Sequence, residues 1–428
     1  MAGSGANTET LGSVTLSSSN GPRTNVIESS VTGAGNTATL TFSGITQQGG
    51  ANVRFVGTGT SLGTSSANKI VFTSAPGLTG AAPNDILRYA VIQSSAGQID
   101  FVRHTGNNTS MTPYTGYATG DINAAATGSI YLYDGSNTTA LSGTKQLNGV
   151  LIRGNNLTLS GNAGATLALT GVTGGAGSPL VSSGTGNSLT VPTFDFGANQ
   201  GHLFVSGDLT INSTVAGSNS NSLIKWGSGE LILGGSSANT FTGATNVQQG
   251  TLTLKKTGAL STDGTAANGT TVQAGAALQL DGVSIGDEWL TMNSPLDWSS
   301  NGGLRNKAGS NSWGTGATPI TLSSSSAYHG VSVATSTSLV LNAAIAGNGL
   351  LKLGAGDLSL GGTAANTYSG NTVVKDGRLL LAKSAAVSAI QNTTGNNLVL
   401  HPSTTVLVST AQDNQLGAAT DVRLLGAS

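Results

Sequence analysis

Asp287 and Glu288 stand beside Trp289, with Trp298 and Trp313 following, and no other stretch groups carboxyl groups with aromatic rings in this way. Two carboxyls can act as general acid and base, and aromatic faces make platforms for sugar rings, so the chemistry this grouping suits is glycan cleavage. The competing reading is that the tryptophans cap or pad an irregular coil. Asp208 and Glu230 form a second candidate pair, because each immediately precedes a leucine, Leu209 and Leu231. Were those leucines in neighbouring stacked strands, the carboxylates would lie roughly 5 Å apart, a separation that suits a metal clamp or a retaining glycosidase. The plainer account makes them exposed carboxylates in a solvated row near Lys225.

Gly59-Thr60-Ser61-Leu62-Gly63 fits the nucleophile-elbow string, which needs a strand, a sharp turn, a helix and a triad around it. With 64 glycines in the chain such a string is expected by chance. His104, His202, His329 and His401 are scattered singly, without the short spacing of zinc ligands, and read as surface or turn residues. Calcium-binding nonapeptide repeats are absent, and no metal or cofactor is expected. Tyr114, Tyr117, Tyr131 and Tyr133 gather in one irregular patch. Tyr131-x-Tyr133 alternates like a strand, which makes a pleated aromatic pair the default and glycan binding the alternative.

The elements that must hold these residues are strands and turns. Charged residues make up only 8% of the 428-residue chain, too few Lys and Glu for extensive exposed helices, while a 37% hydrophobic fraction gives it enough apolar surface to fold. A net charge of −1 supplies no basic field, so nucleic acid is excluded as a partner. There is no cysteine, hence no disulfide framework and no thiolate metal site. The start, Met1-Ala2-Gly3-Ser4-Gly5, has neither a basic nor an apolar signal region and reads as an added expression leader. No apolar run approaches the ~18 residues of a membrane helix, so membrane insertion of this segment is not expected.

A hydrophobic-x-hydrophobic triplet recurs along the second half: Leu167-x-Leu169, Leu189-x-Val191, Leu209-x-Ile211, Leu231-x-Leu233, Leu252-x-Leu254 and Leu278-x-Leu280, then Leu339-x-Leu341, Leu358-x-Leu360, Leu379-x-Leu381 and Leu398-x-Leu400. Alternation marks half-buried strands. The interval of about 20 residues, filled with Gly, Asn, Ser and Thr, reads as one solenoid coil of two or three short strands. Stacked at about 4.8 Å, such coils would make a rod on the order of 90 Å long. The ladder breaks between Asn301 and Ile320, a natural place for an inserted loop. A β-sandwich is the rival architecture, but it does not explain repetition at the level of sequence.

That repetition is plain. Residues 223–254, LIKWGSGELILGGSSANTFTGATNVQQGTLTL, align without gaps to 350–381, LLKLGAGDLSLGGTAANTYSGNTVVKDGRLLL, with more than half of the positions identical. Likeness extends upstream, from Leu209-Thr-Ile211-Asn212 to Leu339-Val-Leu341-Asn342. The shared residues divide into jobs. Leu231, Leu233, Leu252 and Leu254, with Leu358, Leu360, Leu379 and Leu381, supply core. Gly227, Gly229, Gly234, Gly235, Gly243 and Gly250, with Gly354, Gly356, Gly361, Gly362, Gly370 and Gly377, supply turns, of which Gly234, Gly235 and Gly250 are expected at positive φ. Asn239 and Asn366 can hydrogen-bond a turn backbone. The shared string closely resembles the autotransporter-associated β-strand repeat, also called the passenger-associated transport repeat. More loosely, Gly63-Thr64 and Lys69 to Pro76 resemble the region preceding such repeats in large planctomycete and verrucomicrobial surface proteins.

The resemblance implies a right-handed parallel β-helix, exported to the cell surface, with the repeat assisting export and folding. The expected organisation is a leader or disordered start at 1–8, an N-terminal β-rich part with irregular insertions at 9–150, and a regular β-solenoid at 151–428 with repeat copies at 209–254 and 339–381. The chain lacks the signal peptide and membrane barrel of the resembled proteins and reads as a fragment. Its expected role is that of an extracellular, non-enzymatic stalk that presents other domains, with an outer-membrane translocator as partner in the parent protein. An adhesin for surface glycans or matrix molecules is the alternative, and a polysaccharide-degrading enzyme comes third. End-to-end self-association through unpaired strand edges is also expected.

Overall fold

The computed structural model describes residues 5–17, 25–63, 66–76, 86–169, 177–218, 222–261, 265–293, 302–316, 318–323, 327–391, 397–418 and 420–425. It is all-β, 49% strand and 1% helix, and its ladders are parallel almost throughout. The chain divides into two compact units, one running to Gly229 and the other from Glu230 onward.

In the first unit, Ala6–Leu11, Thr37–Phe42 and Asn68–Phe72 stack in parallel, as do Asn25–Ser30, Val53–Thr58 and Leu87–Gln93. Phe42, Phe55 and Phe72 fill the space between them, Phe42 stacked on Phe72 with ring centroids 5.4 Å apart. Among the described residues three pairings are antiparallel: Ile99–Arg103 with Leu87–Gln93, Thr112–Pro113 with Ile99–Arg103, and Thr109–Ser110 with Asn68–Phe72. From Ile130 onward each coil gives three strands. One ladder is Ile130–Tyr133, Gly149–Arg153, Ser178–Ser183, Gly201–Val205 and Leu223–Trp226. The others are Thr144–Gln146, Thr166–Ala168, Thr193–Asp195 and Thr214–Ala216, and Thr158–Ser160, Asn187–Thr190 and Asp208–Ile211.

The strands of the first of these ladders do not alternate in burial, because both faces are covered. Leu151, Val181, Phe204, Ile224 and Trp226 face outward and pack against Val91, Ile99, Phe101 and Tyr114 of the antiparallel segment.

In the second unit one ladder is continuous through Glu230–Leu233, Gly250–Leu254, Ala276–Asp281, Leu304–Ala308, Tyr328–Val333, Gly349–Leu353, Thr372–Val374, Asn397–Leu400 and Asp421–Leu424. A second joins Thr245–Val247, Thr270–Val272, Leu290–Met292, Ile320–Leu322 and Ile345–Gly347. A third opens at Ser284–Ile285 and continues through Ser310–Trp313, Ser338–Leu341, Asp357–Leu360, Arg378–Leu381 and Thr405–Val408. Leu231, Leu252, Leu278, Leu304 and Val331 therefore stack one on the next, each at most 1% exposed. Full burial of such a side chain is worth ~1.5–3 kcal/mol, and none of it is available to a coil standing alone.

Between Asn301 and Ile320, where a break is expected, the ladders continue, but the register slips by one residue where Leu280 pairs with Asn306 and Asp281 with Ala308. Leu304–Ala308, Ser310–Trp313 and Ile320–Leu322 each continue a parallel ladder. The triplet pattern fails because Asn306, Asn311 and Trp313 take inward positions of this coil where aliphatics stand in others. Asn306 and Asn311 are each 2% exposed, bond to one another, and cap the turn through Gly309 and Ala308 carbonyls at 3.2 and 2.7 Å.

Candidate functional site: lysine-pinned repeat turns

The second repeat copy folds as two stacked coils. Gly349–Leu353 pairs with Thr372–Val374, and Asp357–Leu360 pairs with Arg378–Leu381, so 350–381 is a ladder closed on itself. Leu358, Leu360, Leu379 and Leu381 are fully buried, as are Leu231, Leu233, Leu252 and Leu254 in the first copy. On the outer face Asp357 receives both ends of the Arg378 fork, which holds its carboxyl below the usual range.

The residue that sequence reasoning misplaced is the lysine. Lys352 is fully buried and in register with Val331 on one side and Val374 on the other, so it occupies the inward aliphatic column. Its ammonium bends to the coil corner and donates to the carbonyls of Leu353 at 3.1 Å, Asp376 at 2.9 Å and Gly354. Lys225 does the same in the first copy. It is in register with the inward Leu203, fully buried, and donates to the carbonyls of Gly227 and Gly229, both at 2.6 Å. Lys225 therefore does not stand in the solvated row expected of Asp208 and Glu230, which are both partly exposed, since its own charge is inside.

The glycines beside each lysine are dictated by the same corner. Gly227 and Gly354 have φ of +82° and +74°, and a Cβ on Gly354 would sit 2.3 Å from the Val333 carbonyl oxygen. Gly356 does not have positive φ, but a Cβ there would meet the Ala334 carbonyl at 2.2 Å. Side chains are therefore excluded from the corner whose carbonyls the ammonium collects. Further along, Gly235, Gly250, Gly362 and Gly377 lie at positive φ, whereas Gly234 does not, which corrects that expectation. Gly234 and Gly243 are buried. The backbone of Gly370 passes so near Gly349 that a Cβ would meet its nitrogen at 2.4 Å, and a Cβ on Gly361 would sit 2.7 Å from the Asn342 side chain.

A second pin follows each repeat. Asn366 is buried, donates to the Ala389 carbonyl at 2.7 Å, and accepts from the Ile345 amide at 2.9 Å and the Lys383 ammonium at 3.0 Å. Its counterpart Asn239 donates to the Ala259 carbonyl at 2.6 Å. Lys256 and Lys383, which follow the two copies at equivalent places, are both buried. Burial pushes the ammonium of Lys256, Lys352 and Lys383 down to about 8, opposed at Lys352 by the Asp376 and Asp357 carboxylates. The three carbonyls that Lys352 gathers, and the Asn366 side-chain oxygen at Lys383, compensate the burial of those two charges.

The copies differ in one respect. Glu230–Leu233 and its counterpart Asp357–Leu360 belong to different ladders of the second unit, because the third ladder opens between them at Ser284. The repeat is thus a local two-coil module and not a marker for one face.

The other candidates are held as follows. Glu288 is buried and accepts from Thr270 Oγ1 at 2.7 Å; Asp287 is exposed and bonds Thr315; the Trp313 indole donates to the Glu288 carbonyl at 3.1 Å. Trp298 lies outside the described residues. Asp208 accepts from the Gly186 amide at 2.7 Å, while Glu230 is engaged by Thr253, Gln279 and Lys307. Ser61 Oγ bonds Ser95 Oγ at 3.1 Å, in a turn between two strands. Of the histidines expected at the surface or in turns, His202 and His329 are buried within strands, which corrects the expectation for them, while His104 is buried outside the strands and His401 is half-buried beside a turn; His202 Nδ1 bonds Asn52 at 2.7 Å, and burial with the nearby Arg88 charge pushes it down to about 4. No group of three metal-ligating side chains occurs among the described residues. Tyr114, Tyr131 and Tyr133 are buried with their hydroxyls on the Gly116, Gly120 and Thr158 carbonyls.

What the geometry defines is a repeat module of two stacked, in-register β-coils with a charged pin at its corner. Residues 223–254 and 350–381 match the family model of the passenger-associated transport repeat, and the chain carries two copies of it. A search of curated proteins and a search of solved structures returned no match.

Proposed function

We propose that this chain is a structural passenger segment of a secreted or cell-surface autotransporter-type protein, which aids its own export by folding coil on coil and presents other domains. The repeat family supports the passenger assignment, and no helix among the described residues is long and apolar enough to cross a membrane. The observation that carries the finer reading is the buried lysine of each copy. An ammonium placed in an aliphatic column is tolerated only in the one register that meets its corner carbonyls, so each repeat rejects slipped pairings that a pure leucine column would accept. A module that fixes register from its own residues suits a chain that emerges from one end and must add each coil to the last. The family makes an outer-membrane translocator the expected partner. The reading assigns no catalysis to the chain.

The test is export itself. The chain is placed between a signal peptide and an outer-membrane β-barrel translocator, and surface delivery is followed by protease accessibility on whole cells. Wild type is expected at the surface, and the double variant Lys225→Met/Lys352→Met is expected to reach it more slowly. Undiminished delivery after both repeats are deleted would overturn the export role.

A further inference from the structure

The outer face of the long ladder in the second unit carries a polar groove that the passenger role does not use. Thr253, Gln279, Arg305 and Ser332 are in register on successive coils, and with Lys307, Thr335 and Gly354 the last three line a cavity of about 400 Å³. In a chain with 8% charged residues, two cations in one groove stand out. They are not equivalent. Lys307 is paired with Glu230 at 3.3 Å, which neutralises it. Arg305 donates only Nε, to the Gly302 carbonyl at 2.9 Å, and its two terminal nitrogens have no partner among the described residues. Partial burial lowers the pKa of this guanidinium, as expected of a cation held short of water.

We propose that this groove binds an anionic saccharide, with a sugar carboxylate seated on the free fork of Arg305. A guanidinium held by Nε presents its remaining edge as a planar two-donor fork, the geometry that a carboxylate matches bidentately. Ser332 and Thr335 offer hydroxyls, and Gln279, whose amide nitrogen is held by Glu230 at 3.2 Å and Thr253 at 3.1 Å, offers its amide oxygen, partners that sugar hydroxyls need. Coils repeat at about 4.8 Å, close to the advance of one pyranose along its chain, so a saccharide lying across the coils meets a new coil with each unit. The inference goes beyond the passenger reading, which stands or falls separately in the export assay.

Titration calorimetry with trigalacturonate, its methyl ester and maltotriose tests it. Trigalacturonate is expected to bind saturably, at least ~10-fold more tightly than either uncharged sugar, and to weaken as salt rises from ~50 to ~500 mM. Arg305→Gln, with far-UV circular dichroism confirming its fold, is expected to weaken binding ~10-fold or more. Thr335→Glu, at an exposed position, sets a like charge beside the carboxylate and is expected to weaken it as well. Failure of trigalacturonate to bind, equal binding of the methyl ester, or an Arg305→Gln variant that binds like wild type would overturn the proposal. A sulfated disaccharide binding as tightly as the uronate would overturn the carboxylate assignment.

Discussion

Replacing Lys352 by methionine keeps the length of the buried stem and removes only the ammonium. Three carbonyls, those of Leu353, Gly354 and Asp376, lose their donor. Leaving a buried acceptor unsatisfied costs ~1–3 kcal/mol, which sums to a gross loss of several kcal/mol for the corner. Against this, methionine is relieved of the desolvation that lowers the lysine from 10.5 to about 8, an offset of ~3.5 kcal/mol at ~1.4 per unit before solvent screening reduces it. The net expectation is destabilisation of ~1–3 kcal/mol. Urea unfolding followed by circular dichroism reads it as a lowered midpoint at unchanged slope. Lys307→Met is the control, because Lys307 is exposed and its ion pair with Glu230 is worth ~0–1 kcal/mol. A Lys352→Met protein as stable as wild type, or more stable, would refute the argument that the corner depends on this charge.

Leu278→Ala, in the middle of the fully buried aliphatic column, is expected to cost ~2–5 kcal/mol in the same assay. Raising the pH should stabilise the second unit. The folded pKa values of Lys256, Lys352 and Lys383 lie near 8 against 10.5 when unfolded, so the gain is absent below pH 8 and grows as pH climbs towards 10.5, by at most ~1.4 kcal/mol per pH unit and lysine; a urea midpoint that falls between pH 8 and 10 contradicts this. Val422 and Leu424 are 54% and 73% exposed on a strand that pairs on one side with Asn397–Leu400. Val422→Lys/Leu424→Lys is therefore expected to suppress concentration-dependent association in light scattering.

Much of the architecture was legible in the sequence. Triplets such as Leu231-x-Leu233 and Leu252-x-Leu254 announced the inward columns, and their interval announced the coil. What was not legible followed from polar residues doing apolar jobs. Asn306, Asn311 and Trp313 take inward positions on two ladders and so hid a continuous stack behind an irregular pattern. Lys225 and Lys352 sit at inward positions of a Leu-x-Lys strand, where hydropathy places them outside. A signal was available, since a lysine at the same step of both copies, flanked by Gly-x-Gly in a chain poor in charge, is hard to explain as surface decoration. The run Leu223–Trp226 lacks alternation because its outer face is covered by partners remote in sequence, whereas the outward Leu351 and Leu353 of Gly349–Leu353 cluster with Tyr328, Val373 and Val399 of the same ladder. His202 and His329 went inside for a related reason, since each sits on a strand paired on both sides by strands that no local pattern foretells.

The central claim is that successive coils stack in parallel and in register. Val340 and Ser359 are partners in adjacent coils, both half-buried on the outer side of their strands. With no native cysteine in the chain, Val340→Cys/Ser359→Cys takes nitroxide labels at those two sites alone. A spacing of about 4.8 Å between paired strands predicts strong dipolar broadening of the spectrum at low temperature, absent from either single variant. A double-labelled spectrum equal to the sum of the two singles would contradict the stack.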